Sequence, residues 1–367
     1  FRTIDSFDFS PDDKRVVVSR RSIAEPREIW ACDANGKSPK RLTMFNKSVE
    51  DEVDIRPAEE LWIDSPTGVK IHTWVVKPHG FDPSKKYPFI LNVHGGPQSM
   101  WSDAFRGDWQ VYPACGYVIA FPNPHGSTGF GQEFTDQISG DWGGKVSEDL
   151  MKGLDFVLAN NDFIDGDRIA AAGASYGGYM MNWFAGHTDR FKCLVNHDGV
   201  YNLDSMYGAT EELWFPEWEL YGTPWTNPDM YAKWSPHRYA AKFGEYRTPM
   251  LIVHGAKDFR VPLGEAMQVF TAMQRQGVPS RFLYFPDETH FVTKPQFENR
   301  VDISCSGNLV LDEVNALVDG HHQDPISNET RHVFYNHTGL SQCLYKSFHQ
   351  ISSFIRGMAS PHDFDQF

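Results

Sequence analysis

The chain has 367 residues, 41% apolar and 22% charged, with a formal net charge of −14. That is enough apolar sequence for about two domains around a large core, and it excludes a disordered or fibrous chain. The acidic balance argues against nucleic acid or an anionic membrane as partner. The strongest apolar runs, such as Tyr117–Phe121, are strand-sized and far short of the ~18 residues of a membrane span.

Five scattered cysteines (Cys32, Cys115, Cys193, Cys305, Cys343) without a C-x-x-C pair argue against a disulfide scaffold and against a structural zinc site. The chain opens at Phe1 with no charged-then-apolar leader, so targeting is not legible from its front. Three glycosylation acceptors, at Asn46, Asn328 and Asn336, lean towards secretion, but such triplets arise often by chance and leave the compartment open.

In chain order, residues 1 to about 55 alternate apolar and polar positions around turns such as Pro11-Asp12-Asp13 and Asn35-Gly36, which predicts a β-meander. From Glu59 to Pro295 the texture becomes strand, loop, helix, repeated. Strands are predicted at Leu61–Ile63, Ile71–Val76, Phe89–Val93, Val118–Phe121, Arg168–Ala172, Cys193–Asn196, Met250–Val253 and Phe282–Phe285. Helices are predicted at Lys145–Ala159, Tyr176–Ala185 and Gly264–Gln276, where apolar residues return every three or four positions. This alternation implies an α/β fold with a mostly parallel sheet covered by helices on both faces. The stretch Ser205–Tyr239, dense in Trp, Tyr, Glu and Pro, breaks the rhythm and reads as a cap lining a site. Beyond Pro295 one amphipathic helix is expected at Asn308–Val318. The rest of the tail reads as polar and irregular, and its His321-His322 pair lacks the spacing of a metal site.

Gly173-Ala174-Ser175-Tyr176-Gly177-Gly178 follows a predicted strand and opens a predicted helix, the context a nucleophile elbow requires. A serine hydroxyl is a weak nucleophile and needs a base that is itself oriented by a carboxylate. On such a fold the order is Ser, Asp, His, with both partners on loops after strands. Asp258 follows Met250–Val253 and His290 follows Phe282–Phe285, so both meet that condition. His254, at a strand end, reads as packed, Asp287 lies too close to His290 on the same loop, and Asp198 is the runner-up acid. For the oxyanion, one donor is the backbone N–H of Tyr176, and the other comes from the His94-Gly95-Gly96-Pro97 loop. No cofactor or metal is implied.

His94–Pro97, Asn123–Gly131, Gly140–Gly144, Gly173–Gly178, Glu211–Trp218, Trp234–Pro236 and Pro286–His290 occur in that order. Together they resemble the prolyl oligopeptidase family, in its acylaminoacyl-peptidase branch and most like the secreted dipeptidyl-peptidase type, over about Asp54 to Gln296. The resemblance implies an α/β-hydrolase domain at 54–296 that cuts short peptides, with Ser175, Asp258 and His290 as its triad and Gly96 and Tyr176 as its oxyanion hole. Other branches carry a Tyr hydroxyl near the position of His94, and its absence here favours backbone donors. The resemblance further implies that 1–53 is the last blade of a β-propeller that otherwise roofs the site and that the location is secreted, with a cytoplasmic one left open. The stretch 297–367 departs from the family's closing helix and reads as an atypical, partly irregular tail. One blade alone leaves an exposed apolar face and an open site. A dipeptide-releasing enzyme anchors a free ammonium with a carboxylate and apolar side chains with aromatic walls. Glu211, Glu212, Glu217 and Glu219 offer the charge, Glu212 being chosen, and Trp214, Phe215 and Trp218 the walls. The expected partners are peptides, with oligomeric state open. A carboxylesterase or lipase-like hydrolase, or an inactive truncated product, is the alternative.

Overall fold

Apolar runs of five or six residues that are buried on both sides can pair only inside a sheet covered on both faces, and that is how the chain from residue 58 onward is arranged. The structure, a computed structural model, describes residues 3–294. The predicted helix at 308–318, the His321-His322 pair, Cys305, Cys343 and the acceptors at Asn328 and Asn336 lie outside the described residues.

The first four strands form an antiparallel meander in the order β1 (Thr3–Phe9), β2 (Arg15–Ser22), β3 (Glu25–Asp33), β4 (Lys40–Arg41). Its turns use left-handed residues where expected, Asp13 at φ 54° and Gly36 at φ 79°. β1 is largely solvent-facing, and Phe7 and Phe9 are 66% and 49% exposed. The meander is tied to the rest of the chain through Ile23, which is buried beside Trp74, Trp109 and Phe121. The Ile23 N–H donates to Asp103 Oδ1 (2.8 Å), and Thr3 Oγ1 donates to the Asp103 carbonyl (2.6 Å).

The second sheet holds β5 (Ala58–Asp64), β6 (Lys70–Val76), β7 (Tyr87–Val93), β8 (Val118–Asn123), β9 (Ile164–Ala174), β10 (Cys193–His197), β11 (Met250–Gly255) and β12 (Ser280–Phe285). Their spatial order is β12-β11-β10-β9-β7-β8-β6-β5. β6 runs antiparallel to β5 and β8, whereas β8, β7, β9, β10, β11 and β12 are mutually parallel. This is the α/β-hydrolase arrangement. Successive residues of a strand serve opposite faces: Ala171 joins the core under the helices Lys145–Asn160, Tyr176–His187 and Gly264–Arg275, and Ala170 and Ala172 join the other core. That second face is covered by Ile23 and by a helix, Gly107–Ala114, that the sequence pattern did not announce because Pro113 interrupts it. The insert folds into short helices, Leu203–Tyr207, Trp214–Glu219 and Pro228–Trp234, whose aromatic and proline content hides their periodicity. Among the described residues no helix is long and apolar enough to cross a membrane.

Two devices hold the loops at the carboxyl ends of the strands. Asp149, buried on the helix Lys145–Asn160, accepts from Ser65 Oγ (2.5 Å), the His125 amide (2.9 Å) and His125 Nδ1 (2.5 Å). It thereby pins the Asn123–Gly131 motif to the β5–β6 turn. The second device is backbone contact: a Cβ on Gly177 would lie 2.1 Å from the Val93 carbonyl oxygen, and one on Gly173 would lie 2.5 Å from the Gly177 carbonyl carbon. Only glycine lets the helix pass that close to β7 and β9. Gly177→Ala should therefore cost at least about 1–3 kcal/mol through overpacking against backbone that cannot yield. Gly166→Ala, with open space around its Cβ, should change stability by less than about 0.5 kcal/mol. Urea unfolding midpoints of the two variants check this, and equal midpoints would refute it.

Candidate active site

The parallel strands all point their carboxyl ends to one rim, and the loops leaving them bring the candidate residues together. Ser175 leaves β9, Gly96 leaves β7, Asp198 leaves β10, Asp258 leaves β11 and His290 leaves β12. A cavity of about 1510 Å³ opens there, and Gly96, Ser175, Asp198 and His290 line it. Glu212, Trp214, Phe215 and Trp218 of the insert line the same cavity, so the cap reading of 205–239 is correct for this segment.

Ser175 sits at φ 59° and ψ −115°, between β9 and the helix Tyr176–His187. A non-glycine residue in that region is strained and persists only where its surroundings hold it. Here the Ser175 N–H donates to the His197 carbonyl (2.9 Å) and to Asp198 Oδ1 (2.7 Å).

His290 Nδ1 bonds Asp258 Oδ2 at 2.7 Å. Asp258 is buried, and its other oxygen accepts the amides of Arg260 (3.0 Å) and Val261 (2.9 Å), which fix the carboxylate in place. With Nδ1 engaged, Nε2 is the ring nitrogen left for exchange with a hydroxyl in the cavity. Burial disfavours the charged imidazole of His290, but the Asp198 and Asp258 carboxylates outweigh it. Despite opposition from Arg260, its pKa is raised above the ordinary histidine value. The competing candidates are otherwise employed. His254 is fully buried and bonds the Val261 carbonyl (2.8 Å), and burial lowers its pKa. Asp287 forms an exposed ion pair with Lys257 (2.9 Å). Asp198 is not set aside, because its Oδ2 lies 3.6 Å from His290 Nδ1.

The Gly95-Gly96 backbone passes against the serine: a Cβ on Gly95 would meet Ser175 Cβ at 3.2 Å, and Gly96 adopts φ 121°. The loop is steadied by His94, whose Nε2 lies 2.9 Å from Ser127 Oγ. Burial pushes the His94 pKa down to about 4, which keeps its ring neutral. The Tyr176 side chain packs away from the cavity, its hydroxyl donating to the Trp142 carbonyl. Only its amide, at the positive end of the helix, is placed beside Ser175.

The four insert carboxylates all have partners. Arg260 pairs with Glu212 (3.0 Å) and lies 3.6 Å from Glu211. Glu217 accepts from Tyr207 (2.8 Å). Glu219, 1% exposed, accepts from Gln98 Nε2 (2.6 Å), Ser139 Oγ (3.1 Å) and Trp142 Nε1 (2.9 Å), and burial raises its pKa. Those of Glu211, Glu212 and Glu219 link distant segments, and no local pattern in the sequence signals them. Trp214 and Trp218 are 68% and 71% exposed at the rim, and Phe215 packs on Trp142 with ring centroids 5.8 Å apart.

The profile of the prolyl oligopeptidase family matches residues 103–304, more than half of the chain. The chain is 39% identical over 291 residues to dipeptidyl-peptidase 5 of Schizosaccharomyces pombe, covering 76% of this chain and 42% of that protein. It is 38% identical over 299 residues to dipeptidyl-peptidase 5 of Porphyromonas gingivalis, covering 80% and 43% respectively. The acylaminoacyl peptidase of Pyrococcus horikoshii superposes with a TM-score of 0.71 at 26% identity, over 79% of this chain and 46% of that one. The chain thus spans less than half the length of these relatives. Its elbow, its sheet order and the match over 103–304 converge: the chain belongs to the prolyl oligopeptidase family.

Proposed function

We propose that this chain is the catalytic part of a serine peptidase that releases dipeptides from short peptides through an acyl-enzyme. The observation that carries the reading is His290, bonded to the buried Asp258 at 2.7 Å and sharing one cavity with the strained Ser175. Ser175 Oγ attacks the scissile carbonyl while His290 Nε2 takes its proton, and Asp258 holds the required tautomer. The amides of Gly96 and Tyr176 receive the developing oxyanion. His290 then returns the proton to the leaving amine. A water next attacks the acyl-enzyme carbonyl while His290 takes its proton, and the ring passes that proton to Ser175 Oγ as the acid departs. Dipeptide release is supported by the names of the relatives, and by a cavity that offers aromatic walls beside carboxylates. We read the four-stranded meander as one propeller blade, on the strength of its strand order.

Replacing Ser175 by Ala should lower kcat by several orders of magnitude and leave KM little changed, because the oxyanion donors and binding groups remain. A fluorophosphonate probe should label the unaltered chain and not this variant. Retention of more than about a tenth of the turnover would defeat the assignment.

His290 must be neutral to act as base, and its raised pKa places the loss of proton above the ordinary ~6.5. kcat/KM on a chromogenic dipeptide should therefore be low at pH 5 to 6 and rise along a limb centred above about 6.5. A limb below that value, or a flat profile, would contradict it.

Glu212 is the proposed ammonium anchor, although it already shares its charge with Arg260. Glu212→Gln should reduce the preference for free over N-acetylated dipeptide substrates by roughly tenfold, since a hydrogen-bonded charge pair contributes about 1.5–3 kcal/mol. An unchanged preference would remove Glu212 from that role.

A further inference from the structure

We infer that Asp198 is a positioning residue of the catalytic set, a second carboxylate that holds the nucleophile's backbone with one oxygen and faces the base's ring with the other. This rests on the serine-peptidase reading for its function, though not for its geometry. Asp198 is 1% exposed and sits just past the end of β10 at φ 43°, a left-handed conformation that a non-glycine residue adopts at a cost. The turn is held from three sides. Its own amide donates to the Val253 carbonyl of β11 (2.8 Å), the Gly199 amide donates to Asn196 Oδ1 (2.9 Å), and Gly199 packs on Gly178 of the elbow helix so closely that an added Cβ would meet backbone at 2.2 Å. The result aims the carboxylate inward: Oδ1 takes the Ser175 N–H at 2.7 Å, and Oδ2 lies 3.6 Å from His290 Nδ1.

A turn residue needed only to cap the Ser175 amide would serve with a neutral side chain. What a charge adds is felt at His290, and it is felt most when the ring holds the serine's proton. The imidazolium then has Asp258 at 2.7 Å and Asp198 at 3.6 Å, both desolvated. An anion that already lies there attracts the ring more strongly in the transition state than in the resting state, which is the condition for lowering a barrier. The other ionisable groups around the ring do not supply this. Arg260, on the loop after β11, opposes the charged form. His254 on β11 is kept neutral by burial. His197 at the end of β10 places Nε2 3.2 Å from Asp198 Oδ2. On His290's own loop, Asp287 is paired with Lys257, and Glu288 accepts the Thr293 amide (3.1 Å) with Lys294 3.8 Å away. Burial penalises the charged ring most, and the Asp198 charge raises its pKa beside the hydrogen bond and charge of Asp258.

The test is Asp198→Asn in the full chain, which keeps an oxygen for the Ser175 amide and removes only the charge. The titration of His290 is followed by NMR, with His290→Gln assigning the resonance, and kcat and KM are measured across pH. The inference expects the His290 midpoint to fall by about one pH unit, the acid limb of kcat/KM to move down with it, and kcat to drop about 10- to 100-fold with KM within about twofold. An unchanged midpoint with kcat within about twofold of the original would overturn it. Should that variant not fold, Asp258→Asn gives the answer from the other side. With Asp198 intact His290 should still titrate well above the buried His94, whose pKa burial lowers to about 4 with no carboxylate to offset it, and a fall to that value overturns the inference. The NMR titration needs no turnover, so it remains decisive for Asp198 even if Ser175→Ala were to show that the peptidase reading is wrong.

Discussion

The rim of this molecule depends on one backbone contact, the passage of Gly177 over the Val93 carbonyl, where a single added carbon would lie 2.1 Å from the oxygen. Val93 is the last residue of β7 and is followed directly by the His94–Pro97 loop, while Gly177 stands two residues after Ser175. Bringing these two points together sets the distance between nucleophile and oxyanion loop before any side chain is considered. The positions of Asp258 and His290 then follow from β11 and β12, which are added in register to the same parallel sheet. A parallel sheet has all its carboxyl ends on one side, so each additional strand brings its following loop to the same rim.

Around this frame, charge is handled by partners chosen across the fold. Asp258 spends one oxygen on two amides and the other on His290. Asp149 spends its oxygens on Ser65 and His125, and Glu219 on Gln98, Ser139 and Trp142. Each is a buried carboxylate with neighbours that satisfy it, as a low-dielectric interior demands. The exposed aromatics are the contrasting case. Trp214, Trp218 and Trp225 on the insert are 68–73% exposed. Trp214 and Trp218 keep apolar area in water at the mouth of the cavity.

The sheet was legible because its strands are continuous apolar runs, and all eight are where those runs fall, lengthened by one or a few residues at their ends. That Ser175, Asp258 and His290 meet at one rim was legible for the same reason, each standing in the loop after a strand. What was not legible required contacts between distant segments. The helix Gly107–Ala114 contains Pro113 and lacks a stripe, so only its packing against the Trp109–Phe121 stack (3.8 Å between ring centroids) accounts for it. Asp198 and Asp258 read as rivals along the chain, since a triad needs one acid, yet in space both face the same ring. Glu212 read as a free carboxylate because nothing local announces Arg260, forty-eight positions further on, as its partner.

The Glu219 clamp fixes the wall that the insert presents to the cavity. Its oxygens take donors from the loop after β7 and from the Ser139–Trp142 segment, and its own carbonyl accepts the Gly140 amide at 2.7 Å. An insert that swung away as a flap would have to break all four bonds together and leave the buried Trp142 indole N–H without this acceptor. The insert is better described as a fixed wall than as a door. The opening is therefore held to one shape on the insert side, with Trp214 and Trp218 as its jambs.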